Sequence, residues 1–342
     1  MKKVKWGIVG TGWISTMYTE NMKAVEEAER YAVCGHTMEK AKLFAQLHGF
    51  KKVYDSLDAL LVDPEVDCIF IGTRNNLHAP MLRSCIQAGK PVVCTKPLTC
   101  TQEETEEICR LSQEKKVPVF EEMWPVYRPD MLAAREAIRS GEIGEVVRLE
   151  ARCCYHSPGG YDLNSRLCHK EEGGGGTLSM GVYNVSMVQF LLDMEPSEVL
   201  AQGNVGPTGT DLAMQMILRY HNLAPNHTLA YMTTTNFGDN RQDIYVAGTK
   251  GILNIERFWY SNSYIITDYD GNVREFVFDE SPSDQIEKHD HFIRSVNRYL
   301  LDGDETRIVF PIEETAKAAR LMQQALAQIG VDYSDILVRE TQ

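Results

Sequence analysis

Over the first 120 residues, short apolar runs alternate with helix-like stretches. The runs at 4–9, 31–34, 68–71, 91–94 and 117–120 are continuous enough to be buried on both faces. Between the last two, Thr101 with Glu104 three residues on is a capping box, and Ile108 and Leu111 follow at helical spacing before a polar exit at Gln113-Glu114-Lys115-Lys116. Alternation at this rhythm predicts βαβ units and a parallel sheet. After about residue 145 the rhythm changes. Strand-like runs succeed one another at 146–155, 198–204, 212–220, 228–235, 243–247, 252–258, 264–269 and 273–278. Asp270-Gly271 between the last two is a tight-hairpin signal, and successive strands with short turns predict an antiparallel sheet. Helical patterns at 284–301 and 312–329 close the chain, the second stopped by Gly330.

At roughly 150 residues per domain, 342 residues suggest two domains, and the change of rhythm places them at 1–122 and 123–342. Hydrophobic residues at 43% and charged residues at 24% exclude a disordered chain. No run approaches the ~18 apolar residues of a spanning helix. Met1-Lys2-Lys3-Val4-Lys5 imitates the basic start of a signal peptide, but Gly7, Gly10 and Gly12 interrupt the apolar run after it, so no targeting segment is expected and the location is read as cytoplasmic. A net charge of −13, with no block of five Lys or Arg, argues against nucleic acid and membrane surfaces as partners. Nine cysteines, without a CxxC pair, read as reduced thiols. The vicinal Cys153-Cys154 could form a redox pair or metal site, but neighbouring positions on a strand point to opposite faces, which favours reading them as small buried hydrophobes.

Gly10-Thr11-Gly12-Trp13-Ile14-Ser15 ends the first strand and opens a helix. Gly10 suits the tight turn, and Gly12 lets backbone N–H groups approach a pyrophosphate at the helix N-terminus. Ser15 holds the third glycine position with a small residue. With the βαβ series behind it, the loop predicts dinucleotide binding, contacted by Gly10, Thr11, Gly12, Trp13 and Ile14. The second strand ends in Cys34-Gly35-His36-Thr37, without the carboxylate that holds an NAD ribose. His36, Thr37 and Lys40 could meet a 2′-phosphate, so the expected cofactor is NADP ahead of NAD. The competing reading leaves these residues merely solvated.

Gly72-Thr73-Arg74-Asn75-Asn76-Leu77-His78 comes after the third long strand, and Ala88-Gly89-Lys90-Pro91-Val92-Val93-Cys94-Thr95-Lys96-Pro97-Leu98 comes next. Both reach C-terminal strand ends, where open α/β sheets bind ligands, which makes Thr73, Asn75, His78 and Lys96 candidate cofactor contacts. At these segments the chain resembles the glucose–fructose oxidoreductase / inositol dehydrogenase / MocA (Gfo/Idh/MocA) family, whose members carry Thr-Pro-Asn-x-x-His and then AGKxVxxEKP. Glu121-Glu122-Met123-Trp124-Pro125-Val126-Tyr127-Arg128-Pro129 is similar to the EAxWxRFxP of its dimeric dihydrodiol and D-xylose dehydrogenase branch. Gly174 to Tyr183 is similar to that branch's glycine run followed by Asp-x-Gly-x-Tyr.

The resemblance implies a Rossmann NAD(P)-binding domain plus a C-terminal α/β domain with an open, mainly antiparallel sheet, often used for dimerisation. It implies reversible hydride transfer between a hydroxyl carbon and nicotinamide, in a cleft between the domains. Position by position, Lys96 matches the motif lysine and Tyr183 the branch tyrosine, and Trp124 joins the cofactor-side candidates. A tyrosine near its ordinary pKa of about 10 is a poor base at neutral pH, and a nearby ammonium lowers that value. Taken without the family, Tyr183 reads as a buried aromatic. Three positions depart from the pattern: Thr95 replaces the motif glutamate, Ser179 the acidic residue four before the tyrosine, and Val126 the arginine of the tryptophan motif. Arg128 is the nearest alternative cation.

His78 reads either as a donor to cofactor or substrate or as a capping or core histidine. His156, Cys168 and His169 lack metal-ligand spacing, so no metal is expected. His289-Asp290-His291 falls on a predicted helix where i and i+2 do not face each other, and reads as solvated or interfacial. Glu171-Glu172 with the glycines 173–176 reads as a mobile loop over the cleft, or as an ordinary linker. The expected activity is that of an NAD(P)-dependent dehydrogenase or reductase acting on a small sugar, polyol or diol, in a homo-oligomer (dimer or tetramer) built through the C-terminal sheet. Two rival functions are a redox-neutral glycosidase with tightly held NAD, by analogy of fold, and a non-catalytic dinucleotide-binding sensor with a protein partner.

Overall fold

Eleven elements of the N-terminal half alternate as the pattern requires. They are β1 (Val4–Val9), α1 (Trp13–Met22), β2 (Ala28–Cys34), α2 (Met38–His48), β3 (Lys52–Tyr54), α3 (Leu57–Leu61), β4 (Cys68–Ile71), α4 (His78–Gln87), β5 (Val92–Thr95), α5 (Gln102–Lys115) and β6 (Val119–Glu122). The computed structural model describes residues 2–157, 162–221, 228–279, 281–285 and 287–336. These form two compact units, one of residues up to Tyr127 with 281–316, the other of 128–279 with 317–336. The first unit thus takes in chain well beyond residue 122.

The six strands of the first unit pair in parallel in the order β3-β2-β1-β4-β5-β6. Trp6, Ile8, Ile69, Phe70, Ile71, Val92 and Val93 are wholly buried, which is why their runs carry no polar alternation. Thr101 caps α5 as the capping box predicts, its hydroxyl accepting from the Glu104 N–H at 3.2 Å. β3 has no counterpart in the sequence reading, being a three-residue edge strand with mixed burial. β5 and β6 begin one and two residues later than expected, which brings Glu121 and Glu122 into the sheet. The same unit receives α8 (Asp290–Asp302), where Asn297 Oδ1 accepts from Trp6 Nε1 at 2.9 Å. This helix starts six residues after the expected position 284, and residue 286 of the expected span lies outside the described residues.

The second unit is built on an eight-stranded sheet. Its elements are α6 (Pro129–Arg139), β7 (Val146–Cys154), α7 (Val182–Leu192), β8 (Glu198–Val205), β9 (Asp211–Tyr220), β10 (Thr228–Thr235), β11 (Gln242–Gly248), β12 (Gly251–Ile255), β13 (Ser263–Asp268) and β14 (Val273–Val277). The strand order is β14-β13-β12-β11-β7-β10-β9-β8, antiparallel throughout except for the β7–β10 pair. α9 (Ile312–Gln328) runs from the first unit into the second, and Gly330 comes after it at φ +78°. Along β11 and β12 buried and half-buried positions alternate, so one face of the sheet is core and the other open. Every residue of α7 is buried. All nine cysteines are free thiols, Cys153 and Cys154 both fully buried.

Two expectations are corrected in this unit. The glycines 173–176 are not a mobile loop: all four are buried, and the N–H groups of Gly174 and Gly175 donate to the carbonyls of His169 and Leu167 at 2.9 and 2.8 Å. Four side-chain-free residues let the backbone pack this tightly. Arg128, the alternative cation, is committed to structure. It is 2% exposed, forks onto Asp130 (Nε to Oδ1 3.0 Å) and donates to the carbonyls of Phe258 and Ser261. Burial pushes the Asp130 carboxyl up, and the guanidinium partly offsets that. Arg128→Met should therefore cost about 3–5 kcal/mol in urea unfolding by stranding a buried carboxylate. Arg128→Lys should recover only part of it, because an ammonium cannot reproduce the fork.

Candidate active site

The order 3-2-1-4-5-6 puts its switch point between β1 and β4, where the chain turns out of the sheet in opposite directions and leaves a crevice. Gly10 sits there at φ +98°, and a Cβ on it would stand 2.6 Å from the Gly72 carbonyl oxygen. Only glycine fits that turn. Ser15 is fully buried on the neighbouring face of α1, its Oγ 3.5 Å from the same carbonyl. Gly12 is the N-cap of α1 and differs in kind: a Cβ there meets no heavy atom within 4 Å. α1 has neither a side-chain cap nor an acidic residue in its first turn. An uncapped helix N-terminus with open space above it is suited to a pyrophosphate, so the residues fit a dinucleotide. Thr11 and Ile14 are half-buried beside it, and Trp13 is 65% exposed.

At the tip of β2, His36 and Thr37 are exposed. Thr37 is the N-cap of α2, its hydroxyl accepting from the Lys40 N–H at 3.3 Å. Asp55, just past β3, lies within electrostatic range of this tip. Burial, and secondarily the Asp55 carboxylate, pushes the Cys34 thiol up to about 11. Sequence spacing could not reveal that acid, because it arrives from the neighbouring strand.

Thr73 is half-buried after β4, its hydroxyl 3.6 Å from Met81 Sδ, and Asn75 is buried in the short turn that leads into α4. His78, the first residue of α4, turns inward. It is fully buried, Nδ1 donates to the Pro97 carbonyl at 2.9 Å, and Nε2 lies 3.4 Å from the Thr73 carbonyl. The core reading of His78 is the one its surroundings support. Lys96 is half-buried immediately after β5.

Near Lys96, Glu121 and Glu122 at the end of β6, together with Glu287, are groups that sequence alone does not single out. Thr95 Oγ1 donates to Glu122 Oε2 at 3.1 Å, and the other oxygen of Glu122 receives His289 Nδ1. His289 Nε2 meets Glu287 Oε2 at 3.1 Å. Trp124, expected at the cofactor, is instead fully buried and stacks on His289 with centroids 5.0 Å apart. His289 and Asp290 are wholly buried, which overturns the solvated reading. The helical spacing argument failed because α8 starts only at Asp290, so His289 precedes it and faces β6. Burial alone would lower the His289 pKa, but the Glu122 and Glu287 carboxylates hold it up to about 9. Glu121, on the opposite face of β6, accepts from the Leu98 N–H at 2.8 Å and from Thr315 Oγ1 at 3.0 Å. Burial pushes its carboxyl up to about 7, against the opposing pull of these donors and of Lys96. The available signal was position: two carboxylates end an apolar run at a C-terminal strand tip.

In the second unit Tyr183 is the second residue of α7, 5% exposed, with its ring edge-on to Trp259 at 5.2 Å. A π-turn, Thr177–Gly181, precedes it, a distortion common at functional sites. Ser179 Oγ donates to Asn236 Oδ1 at 2.9 Å. Asp211, at the start of β9, supplies an acid the sequence reading missed: its Oδ2 accepts from the N–H and hydroxyl of Thr177 at 2.6 and 2.7 Å. Gly175, at φ +116°, makes way for it, since a Cβ would stand 2.5 Å from Asp211 Oδ1. Val126 is fully buried. Among the described residues no cluster of three His, Cys, Asp or Glu side chains could hold a metal ion, and no helix is long and apolar enough to cross a membrane.

The raised His289 pKa carries a sign. The folded protein binds that proton more tightly than the unfolded chain, so the stabilisation is complete below about pH 6.5 and lost as pH rises through about 9. Melting temperature should fall across that window, and His289→Gln should flatten the slope while lowering stability by about 3–5 kcal/mol.

Residues 4–123 match the oxidoreductase family with an NAD-binding Rossmann fold, GFO_IDH_MocA, and residues 131–254 match the GFO/IDH/MocA C-terminal domain. The chain is 29% identical over 341 residues to trans-1,2-dihydrobenzene-1,2-diol dehydrogenase of Xenopus laevis, covering 96% of this chain and 99% of that one. The enzyme of the same name from Mus musculus is 27% identical, with 96% and 98% covered. Among solved structures, a 3-ketoreductase from Actinomadura kijaniata in complex with NADP and TDP-benzene is similar in fold, with TM-score 0.82, 19% identity and 96% and 98% covered. A putative myo-inositol dehydrogenase from Sinorhizobium meliloti 1021 gives 0.78 at 22% identity, covering 96% and 97%.

Proposed function

The chain belongs to the GFO/IDH/MocA family of NAD(P)-binding oxidoreductases, and from that premise we propose that it transfers a hydride between nicotinamide and a hydroxyl or carbonyl carbon of a small sugar, polyol or diol. The observation that carries this reading is the uncapped N-terminus of α1 above Gly12, at the switch point of a parallel sheet whose next strand but one ends just before Lys96. A dinucleotide held there by its pyrophosphate would supply, through its nicotinamide, the hydride acceptor or donor. The remaining chemistry falls to side chains. Tyr183 takes the hydroxyl proton in oxidation and returns it in reduction. Lys96 orients the substrate oxygen. Gly10, Thr11, Gly12, Trp13 and Ile14 hold the pyrophosphate loop, with Thr73 and Asn75 beside it. His78 and Trp124 act through packing. Dinucleotide binding falls to 1–122, and substrate binding and oligomerisation to 123–342.

Exposed His36 and Lys40 favour NADP, while Asp55 favours NAD by repelling a 2′-phosphate; the absence of a carboxylate at the C-terminal tip of β2, Cys34-Gly35-His36-Thr37, tips the reading to NADP. The open face of the second sheet suits a second copy of the chain. There Leu200, Ile217 and Tyr231 are cross-strand neighbours, with Leu200 49% and Tyr231 37% exposed. A reducing cytoplasm suits the nine free thiols.

Purified protein should consume or produce reduced nicotinamide with members of a panel of aldoses, inositols and diols. Lys96→Ala and Tyr183→Phe should each lower kcat by about 100-fold or more. Absence of turnover with either dinucleotide across the panel, or full activity in both variants, overturns the reading. Trp13 should lose fluorescence when a dinucleotide binds, a signal absent in Trp13→Phe. Ile217→Arg should shift sedimentation to a smaller species by burying an unpaired charge at the proposed face.

A further inference from the structure

Lys96 stands where the family motif would precede it with glutamate, yet residue 95 is threonine. The neighbouring strand makes up the difference. β5 and β6 pair so that Thr95 lies opposite Glu122, and the Thr95 hydroxyl donates to that carboxylate at 3.1 Å. Pro97, on the other side of Lys96, is held through its carbonyl by His78 at 2.9 Å. Leu98 is held through its N–H by Glu121 at 2.8 Å. Three hydrogen bonds thus bracket one residue. Their far ends are anchored too: Glu122 on His289, which is stacked on Trp124, and Glu121 on Thr315. Both glutamates are 2% exposed or less.

A carboxylate is not buried without compensation, and burying two on consecutive residues of one strand calls for a reason. Alternation along β6 sends them to opposite faces of the sheet. Each then meets the 95–98 segment from its own side. We propose that Glu121 and Glu122 are positioning residues for Lys96, anchoring from β6 the segment on either side of it. A lysine side chain is long and rich in rotamers, so fixing its backbone on both sides narrows where the ammonium can go. The charged and titratable groups that act on Glu121 include Lys96, Glu122 and Cys94, and those that act on Glu122 include His289, Glu121, Tyr18 and Cys94. The Lys96 ammonium is a cation that favours the charged form of Glu121. This inference rests on the reading of Lys96 as the group that orients the substrate oxygen.

Thr95→Val keeps the side-chain shape, cuts the link to Glu122 and leaves the Glu122–His289 pair intact. Glu121→Leu removes the acceptor of the Leu98 N–H. Each should lower kcat about 10-fold, short of the roughly 100-fold cost of a full ångström of misplacement. The dissociation constant of the dinucleotide should stay within about twofold, and the primary deuterium isotope effect on kcat should grow as hydride transfer becomes limiting. Thr95→Ser should restore turnover. In protein without dinucleotide, hydrogen exchange of the Leu98 amide should accelerate in Glu121→Leu and not in Thr95→Val. Unchanged kcat and isotope effect in Thr95→Val, with Lys96→Ala still inactive, overturns the proposal, as does unaltered Leu98 exchange in Glu121→Leu. Full turnover in Lys96→Ala would instead defeat the functional reading beneath it.

Discussion

A parallel sheet covered on both faces has no wet side, and every polar side chain that enters it must bring or find a partner. β6 meets this demand twice on consecutive residues. Glu122 is paired with His289 and Thr95, and Glu121 is received by a backbone amide and a threonine. The partners come from β5, the turn after it, the segment before α8 and the start of α9. A local requirement for charge compensation therefore gathers distant parts of the first unit around one strand tip. The same tip carries Lys96 on its neighbour, so the solvation problem and the proposed chemistry share one place.

Legibility tracked the range of the interactions. The loop Gly10-Thr11-Gly12 was readable because a strand, a turn and a helix N-terminus are contiguous in sequence, and the open space above Gly12 agrees with that reading. The capping box at Thr101 was readable for the same reason. Lys96 and Tyr183 were singled out by motif, not by physics, since nothing local distinguishes a working tyrosine from a packed one. Glu121 and Glu122 lie within a recognisable motif, but whether a carboxylate at a strand end is buried depends on what lies across from it, which the motif does not encode. His289 was misjudged because its environment is set by a helix boundary that shifted by six residues. The glycine run was misjudged because tight backbone packing and flexibility share one composition. Here Asp211 and Tyr333 press against it from far along the chain.

Net charge and local charge also part company. At −13 the chain is acidic, yet the dinucleotide loop needs only backbone N–H groups and an absence of nearby acids. Several of the acids that matter most are buried and individually matched: Glu122 to His289, Asp130 to Arg128, Asp211 to Thr177. Remaining acidity lies mostly at the surface, where it opposes polyanionic partners without opposing a cofactor held at one point.

The bond between Trp6 and Asn297 joins the first strand of the chain to its penultimate helix, 291 residues later. Glu122 likewise waits for His289, and Asn21 for the Glu287 carbonyl. A ribosome releasing this chain therefore presents the six-stranded sheet long before the helix that covers Trp6 exists. During that interval an apolar face and an unpaired buried carboxylate stand open. The N-terminal half cannot complete itself vectorially as it emerges; its final packing is postponed until residues 287–302 have been made.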